Sequence, residues 1–236
     1  MYKMDAVVRY SECGNRKQIT LPGIINYFQD CSSSNSERLG VGMDYLMAKR
    51  RAWVLNSWQV VVERYPEMNE EIEVFTWSNG FQGLFGPRSF SMKTKSGEML
   101  AYANTLWVYV DIDSGRPVRP DAEEDVLYGK EPPLEMEKVS RKIAVPEQIE
   151  VIDTITVRKY HIDTNQHVNN GQYIQMAMEV MPDGYQPQKL RVEYKKSAVY
   201  GDIIVIKKVI EEARTVVALC DPEGAHYAVV EFTGEQ

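Results

Sequence analysis

The sequence predicts an α+β fold built from two repeats, each a helix set against an antiparallel sheet. Three observations carry this. Apolar residues alternate with period two over long stretches in both halves of the chain. Each half has one substantial stretch at helical spacing, ahead of most of its strands, so there is no βαβ alternation. The order strand, loop, helix, strands then recurs after a proline-rich segment.

Residues 2–10 read as a strand that ends in the loop Ser11 to Lys17. Thr20-Leu21-Pro22 opens a helix, with Thr20 as cap and proline in the first turn. Ile24, Tyr27, Phe28, Cys31 and Leu39 form its apolar stripe; Gly40 and Gly42 end it, and 43–49 reads as a short second helix. From Ala52 to Arg64 the period becomes two, with Val54, Trp58, Val60 and Val62 on one face. Further strands read at 70–77, 89–94 and 98–110, with turns at Ser96-Gly97 and Asp113-Ser114-Gly115. The glycine- and aromatic-rich stretch 79–87 reads as a mobile loop. Pro120 to Pro146 reads as a connector with one short helix near Asp121 to Tyr128. Beyond it come a strand at 151–160, a loop, a helix at 169–181 and strands near 188–199, 202–212, 214–220 and 226–233. The expected domains are 1–128 and 151–236, joined by a linker at 129–150.

At 236 residues the chain can bury two real cores, and 44% hydrophobic with 26% charged residues is ordinary globular composition. No apolar run reaches membrane-spanning length, and Met1 to Tyr10 lacks a signal-peptide core. Cys13, Cys31 and Cys220 make no paired framework and fit reduced thiols, so a cytoplasmic protein off the membrane is expected. A net charge of −7 argues against a nucleic-acid binder. With three scattered histidines and no cysteine cluster, no metal site and no cofactor are expected. Neither a Gly-x-Ser-x-Gly elbow nor a phosphate-binding loop occurs.

The most informative stretch is Asp163-Thr164-Asn165-Gln166-His167-Val168-Asn169-Asn170, where a strand hands over to a helix. Helix N–H groups left free there suit an oxyanion. Extended, Asp163, Asn165 and His167 would spread over roughly 13 Å at about 3.3 Å per residue, so the segment must curl for them to act together. On these residues alone two readings stand. Either the three converge on a substrate, or Asp163 and Asn165 hold a turn while Asn169 or Asn170 caps the helix.

This block, with Tyr173-Ile174 after it, resembles the acyl-ACP thioesterase family: the plant plastid enzymes and their bacterial relatives. Arg191-Val192-Glu193-Tyr194-Lys195-Lys196 resembles the family's motif beyond the active-site helix. Trp53-Val54-Leu55, Val62-Glu63-Arg64-Tyr65-Pro66 and Glu73-Val74-Phe75-Thr76-Trp77 resemble its N-terminal half. The resemblance implies a double hotdog, two tandem repeats each with a central helix wrapped by a curved antiparallel sheet. It implies an acyl-chain pocket in the N-terminal repeat, for which Trp53, Trp77 and Trp107 are candidate liners, and catalysis in the C-terminal one. The expected substrate and partner is acyl carrier protein bearing a fatty acyl chain, with release of free fatty acid ending chain elongation; a homodimer is compatible with this. An acyl-CoA thioesterase and a non-catalytic acyl-binding module are the alternatives.

Asp163 is the expected nucleophile or general base, Asn165 its orienter and His167 the general acid/base; Ser197, Asn169 and Asn170 are auxiliary candidates. In the plant enzymes the second block continues with Glu and Cys, where this chain has Ser197 and Ala198, so a Cys–His mechanism is excluded. Aligning the halves by Tyr10 and Tyr160 puts Cys13 and Lys17 opposite Asp163 and His167, so one site per chain is expected. Docking of an acidic carrier would need a basic patch: Lys49-Arg50-Arg51, Lys138 with Arg141-Lys142, Lys195-Lys196 or Lys207-Lys208. Glu179 reads as a partner for a buried polar group.

Overall fold

The computed structural model describes residues 1–234 and divides into two compact units, Met1–Glu137 and Lys138–Gln236. The first carries strands β1 (Tyr2–Val7), β2 (Arg51–Val62), β3 (Glu71–Ser78), β4 (Phe85–Thr94) and β5 (Met99–Asp111), hydrogen-bonded in the order β1-β3-β4-β5-β2. Its helices are α1 (Leu21–Arg38), α2 (Met43–Ala48) and α3 (Ala122–Tyr128). The second carries β6 (Glu150–Thr156), α4 (Asn170–Glu179), β7 (Lys189–Tyr194), β8 (Ile203–Ile210), β9 (Thr215–Cys220) and β10 (His226–Thr233). There the order is β6-β8-β9-β10-β7, so in both units the strands run first-third-fourth-fifth-second, all antiparallel.

Local chemistry sets the central helix of unit 1. The Thr20 hydroxyl accepts the Gly23 N–H at 3.2 Å, and proline occupies the first turn. Leu21 to Phe28 is buried apart from Asn26, whereas Ser33 to Arg38 is polar, so the helix enters the core by its N-terminal half and packs on β3. Phe28 meets Trp58 and Phe90 with ring centroids 6.2 and 5.3 Å away. Full burial of each such ring is worth on the order of 2 kcal/mol or more.

In unit 2, α4 packs on β9 and β10, and every residue of β9 is buried. That strand is covered on both faces, because Ile143 and Val145 pack with Val216 and Val229. A strand covered twice loses its alternation, which is why Thr215 to Cys220 reads as one continuous apolar run.

Several expectations need correction. In β2 the register shifts between Leu55 and Ser57, so the bulge carries Val54 out to 45% exposure while Leu55 is buried. The stretch 79–87 is structured: Phe81 packs on Trp53 and Tyr128, and β4 already begins at Phe85. The strand predicted at 151–160 stops at Thr156, and Lys159–His161 forms a 3-10 turn.

The proline-rich segment divides between the two units instead of hanging free. On unit 1, Trp77 Nε1 donates to Pro132 O, Asn104 Nδ2 to Leu134 O and Gln59 Nε2 to Glu137 O, at 2.8 to 3.0 Å. Prolines lack the N–H a sheet edge requires, so side-chain donors bind the segment's carbonyls instead. On unit 2, Ile143 N–H donates to Glu193 Oε2 at 3.0 Å, and Arg191 binds Ser140 O.

Candidate functional site

The loop between the 3-10 turn Lys159–His161 and α4 is closed by an antiparallel bridge between Ile162 and Val168. Inside it Asp163 N–H donates to His167 O at 2.8 Å, and Gln166 N–H to Asp163 O at 3.1 Å. Gln166 takes φ 63°, the left-handed conformation such a tight reversal demands. The segment therefore curls, as convergence requires.

Asp163 sits at the centre. Its Oδ1 accepts the N–H of Asn165 at 2.8 Å and that of His167 at 3.4 Å. Both bonds use one carboxylate oxygen and involve backbone, so the Asn165 and His167 side chains are not bonded to Asp163. Both side chains stand exposed, while Asp163 is half-buried. The turn-holding reading of Asp163 is thus true, and it is compatible with chemistry at Oδ2.

Asn169 caps α4, accepting Gly171 N–H at 2.8 Å through Oδ1. Asn170 is the first helical residue, and its carbonyl accepts the Tyr194 hydroxyl at 2.9 Å. Val168 N–H donates to Ala198 O at 2.9 Å, and Ala198 N–H to the Tyr173 hydroxyl at 2.8 Å. The fully buried Ala198 thus stitches the loop and α4 to the segment after β7 through its backbone alone. Ser197 is exposed.

Tyr173 and Tyr194 are the supports that residue reading missed as site residues. Their rings meet edge-to-face at 5.9 Å. Burial, with Asp163 among the nearby charges, pushes the Tyr173 phenol up to about 12. The signal was present as aromatic residues within both quoted motifs, but nothing in the sequence shows that two hydroxyls reach backbone partners. His161 is buried, and its Nδ1 accepts Arg158 N–H at 3.0 Å; burial, then Arg158, holds its pKa below the ordinary range.

The other candidates are dispersed. Glu179 is exposed and bonded to Gln175, not to a buried partner. Trp77 lies on the sheet face away from α1, beneath Pro132, because Ile72, Val74 and Thr76 take the helix side. Trp53 stacks on Phe81 and Tyr109, close enough that a Cβ on Gly86 would meet its ring at 2.8 Å. Trp107 Nε1 donates to the Thr105 hydroxyl at 3.0 Å. The basic run Lys49-Arg50-Arg51 is paired with Asp121, Asp113 and Asp111, and Lys196 with Asp221. Those runs are largely neutralised by acids distant in sequence.

The equivalent loop of unit 1 fixes the register between the repeats. Gly14 N–H donates to Gln18 O at 2.9 Å, Lys17 N–H to Gly14 O at 3.0 Å, and Cys13 bridges Ile19. Lys17, at φ 57°, matches Gln166. The structural counterparts of Asp163 and His167 are therefore Gly14 and Gln18. The Cys13 and Lys17 expected from aligning the tyrosines are one residue out of register.

Residues 1–127 match the family model described as the acyl-ACP thioesterase N-terminal domain, and 146–226 match that of the C-terminal domain. The chain is 25% identical over 225 residues to oleoyl-acyl carrier protein thioesterase 1, chloroplastic, of Arabidopsis thaliana. That match covers 86% of this chain but 62% of the relative, so the chain spans less than two thirds of its length. In structure it resembles an acyl-ACP thioesterase from Bacteroides thetaiotaomicron (TM-score 0.89, 21% identity, 99% of this chain and 97% of that one). It also resembles the 12:0-ACP thioesterase from Umbellularia californica (TM-score 0.87, 20% identity, 98% and 96%). The likeness establishes the fold: α+β, with a hotdog in each unit.

Proposed function

Because the chain belongs to the acyl-ACP thioesterase family, we propose that it hydrolyses the thioester of an acyl carrier protein and releases free fatty acid, ending elongation. The observation that carries this reading is the Asp163 loop at the start of α4, with Oδ1 fixed by two backbone N–H groups. A carboxylate anchored at one oxygen presents the other, Oδ2, in a defined direction, to the thioester carbonyl or to a water attacking it. His167, exposed beside it, supplies the proton to the departing thiolate, a transfer that an imidazole side chain can make in either direction. Asn165 orients the attacking group through its amide. The N-terminal turn of α4 stabilises the developing oxyanion.

The Ser197-Ala198 pair where the plant enzymes carry Glu and Cys supports a mechanism resting on Asp163 and His167. Ala198 offers only backbone, already bound to Val168 and Tyr173. We place the enzyme in the cytoplasm with acyl carrier protein as its partner. Thiol release from acyl-ACP and from the matching acyl-CoAs tests the reading. Turnover of acyl-ACP that is lost in Asp163→Asn supports it. Turnover of acyl-CoA alone removes the partner, and no turnover with acyl binding retained makes the protein a ligand-binding module.

A further inference from the structure

One corner of the chain is built twice, and the copy beside the Asp163 loop is fastened differently. In unit 1 the residues after β2 hold the end of the Gly14 loop, where Ile19 N–H donates to Pro66 O at 2.9 Å. Glu67 N–H then donates to Glu70 Oε2 at 2.9 Å and Glu70 N–H to Glu67 O at 3.0 Å, which turns the chain toward β3. The residues after β7 repeat this. Val168 N–H donates to Ala198 O at 2.9 Å, Val199 N–H to Asp202 Oδ2 at 3.0 Å, and Asp202 N–H to Val199 O at 3.1 Å. Val8 N–H donates to Glu70 O in one unit, and Val157 N–H to Asp202 O in the other. Glu70 and Asp202 are therefore one position of the repeat.

What fastens that acid differs. The N–H groups of Glu63 and Arg64 donate to Leu100 O, as those of Lys195 and Lys196 do to Tyr227 O, so Arg64 matches Lys196 and Leu100 matches Tyr227. Arg64 binds both oxygens of Glu70, at 2.7 and 3.0 Å. Lys196 instead pairs with Asp221, its ammonium 4.6 Å from the centre of the Tyr227 ring. The Tyr227 hydroxyl takes the place of the guanidinium and donates to Asp202 Oδ2 at 3.2 Å. Burial, then the Asp202 carboxylate, pushes this phenol up to about 12, which keeps its proton available to donate. Pro66 has no N–H to satisfy, whereas the Ala198 N–H uses the Tyr173 hydroxyl. Two phenols in unit 2 thus do what a proline and an ion pair do in unit 1. The corner lies close to the site, since Asp202 and Asp163 are both among the charges that act on Tyr173.

We propose that Asp202 and Tyr227 are positioning residues for the hydrolysis: through the Val199 and Ala198 backbone they hold the Asp163 loop where its carboxylate meets the thioester. The inference rests on the thioesterase reading and adds two residues to it. Asp202 acts as a hydrogen-bond acceptor, fixing Val199 N–H with the oxygen that Tyr227 fixes in turn. Ala198 is then held from both sides, and its carbonyl sets the last residue of the loop, Val168. A small displacement of a reacting group is costly in rate, so slack at this corner reaches the chemistry without touching the substrate.

The test compares kcat and KM on one acyl-ACP, or on the matching acyl-CoA if only that is cleaved, for wild type, Asp202→Ala, Asp202→Asn, Tyr227→Phe and the unit 1 control Glu70→Ala. Asp202→Ala should lower kcat by about tenfold or more with KM within about twofold. Asp202→Asn keeps an oxygen acceptor and should restore most of that loss. Tyr227→Phe should lower kcat by about two- to tenfold, and it reports even where Asp202→Ala fails to fold. Glu70→Ala should cost stability and leave kcat in place. An unchanged kcat in folded Asp202→Ala or in Tyr227→Phe overturns the proposal. So does an Asp202→Asn as slow as Asp202→Ala, which would make the charge the requirement, and so does an equal loss in Glu70→Ala, which would make the effect one of general stability. If wild type cleaves neither thioester, the hydrolase reading fails, and amide hydrogen exchange decides this one. Faster exchange at Val168 and Ala198 in Tyr227→Phe, with the Gly14 to Gln18 loop unaffected, supports it; unchanged exchange overturns it.

Discussion

The loops Gly14 to Gln18 and Asp163 to His167 share a backbone and differ in chemistry. Each is closed by an isolated bridge, carries a non-glycine residue near φ 60° at its fourth position, and leads into a capped helix. In each, the last residue of the preceding 3-10 turn accepts the backbone N–H three residues earlier, through Glu12 Oε2 in unit 1 and His161 Nδ1 in unit 2. The comparison teaches that the reversal needs no carboxylate: Gly14 makes it with backbone alone. Asp163 Oδ1 adds two bonds to this turn, but the shared reversal does not depend on them.

The largest expected effect comes from making one loop into the other. Asp163→Asn keeps an acceptor for the N–H groups of Asn165 and His167, and Asp163→Gly with His167→Gln reproduces the unit 1 pair. Each should lower acyl-ACP hydrolysis by about 10²–10⁴-fold, with the fold intact by circular dichroism. Residual activity within about threefold of wild type would remove Asp163 from the mechanism. The reverse graft, Gly14→Asp with Gln18→His, should fold, since a Cβ at Gly14 would meet only Thr20 Cγ2 at an ordinary 3.5 Å.

Next in size is Tyr173→Phe. It strips the acceptor from the buried Ala198 N–H and should cost about 1–3 kcal/mol in denaturant unfolding. No loss of stability would mean that the loop of unit 2 needs no such support.

Acidification should separate the two turns more gently. The folded-state pKa of His161 is depressed by burial and then by Arg158, so the unfolded chain takes up its proton first. Its contribution is present above about pH 6.5 and is lost as pH falls toward the folded pKa. For Glu12, burial alone would raise the pKa, but the bonds from Arg9 and Tyr27 prevail and lower it. Its contribution stays intact above the ordinary carboxylate range, about pH 4.3, and is lost below it. Melting temperature against pH should thus lose its first step in His161→Gln and keep it in Glu12→Gln; the opposite pattern would reverse the assignment.

The smallest effect tests equivalence itself. Lys17→Gly and Gln166→Gly each relieve a left-handed residue but free the unfolded chain, so each should change stability by under about 1 kcal/mol, with the same sign. Opposite signs would mean that the loops are held differently.

Much of this was legible from residues. Thr20 with Pro22 marked the start of α1, Asp121 to Tyr128 marked α3, and the Asn169-Asn170 pair marked the start of α4, because caps and first-turn residues act within a few positions of themselves. The turn at Asp163 was legible for the same reason. The bulge at Asn56 was not, since a shift of face depends on the partner strand.

The sequence by itself determined the order of elements, the tandem repeat and the stretch that carries the acid and the imidazole, all of which rest on local spacing and short-range hydrogen bonding. Only the tertiary structure decided that Gly14 and Gln18 are the counterparts of Asp163 and His167, and that Tyr173 and Tyr194 brace the loop and the start of α4. Each of these depends on which distant side chain arrives at a given backbone group or charge, and register, packing and burial set that only once the strands have paired.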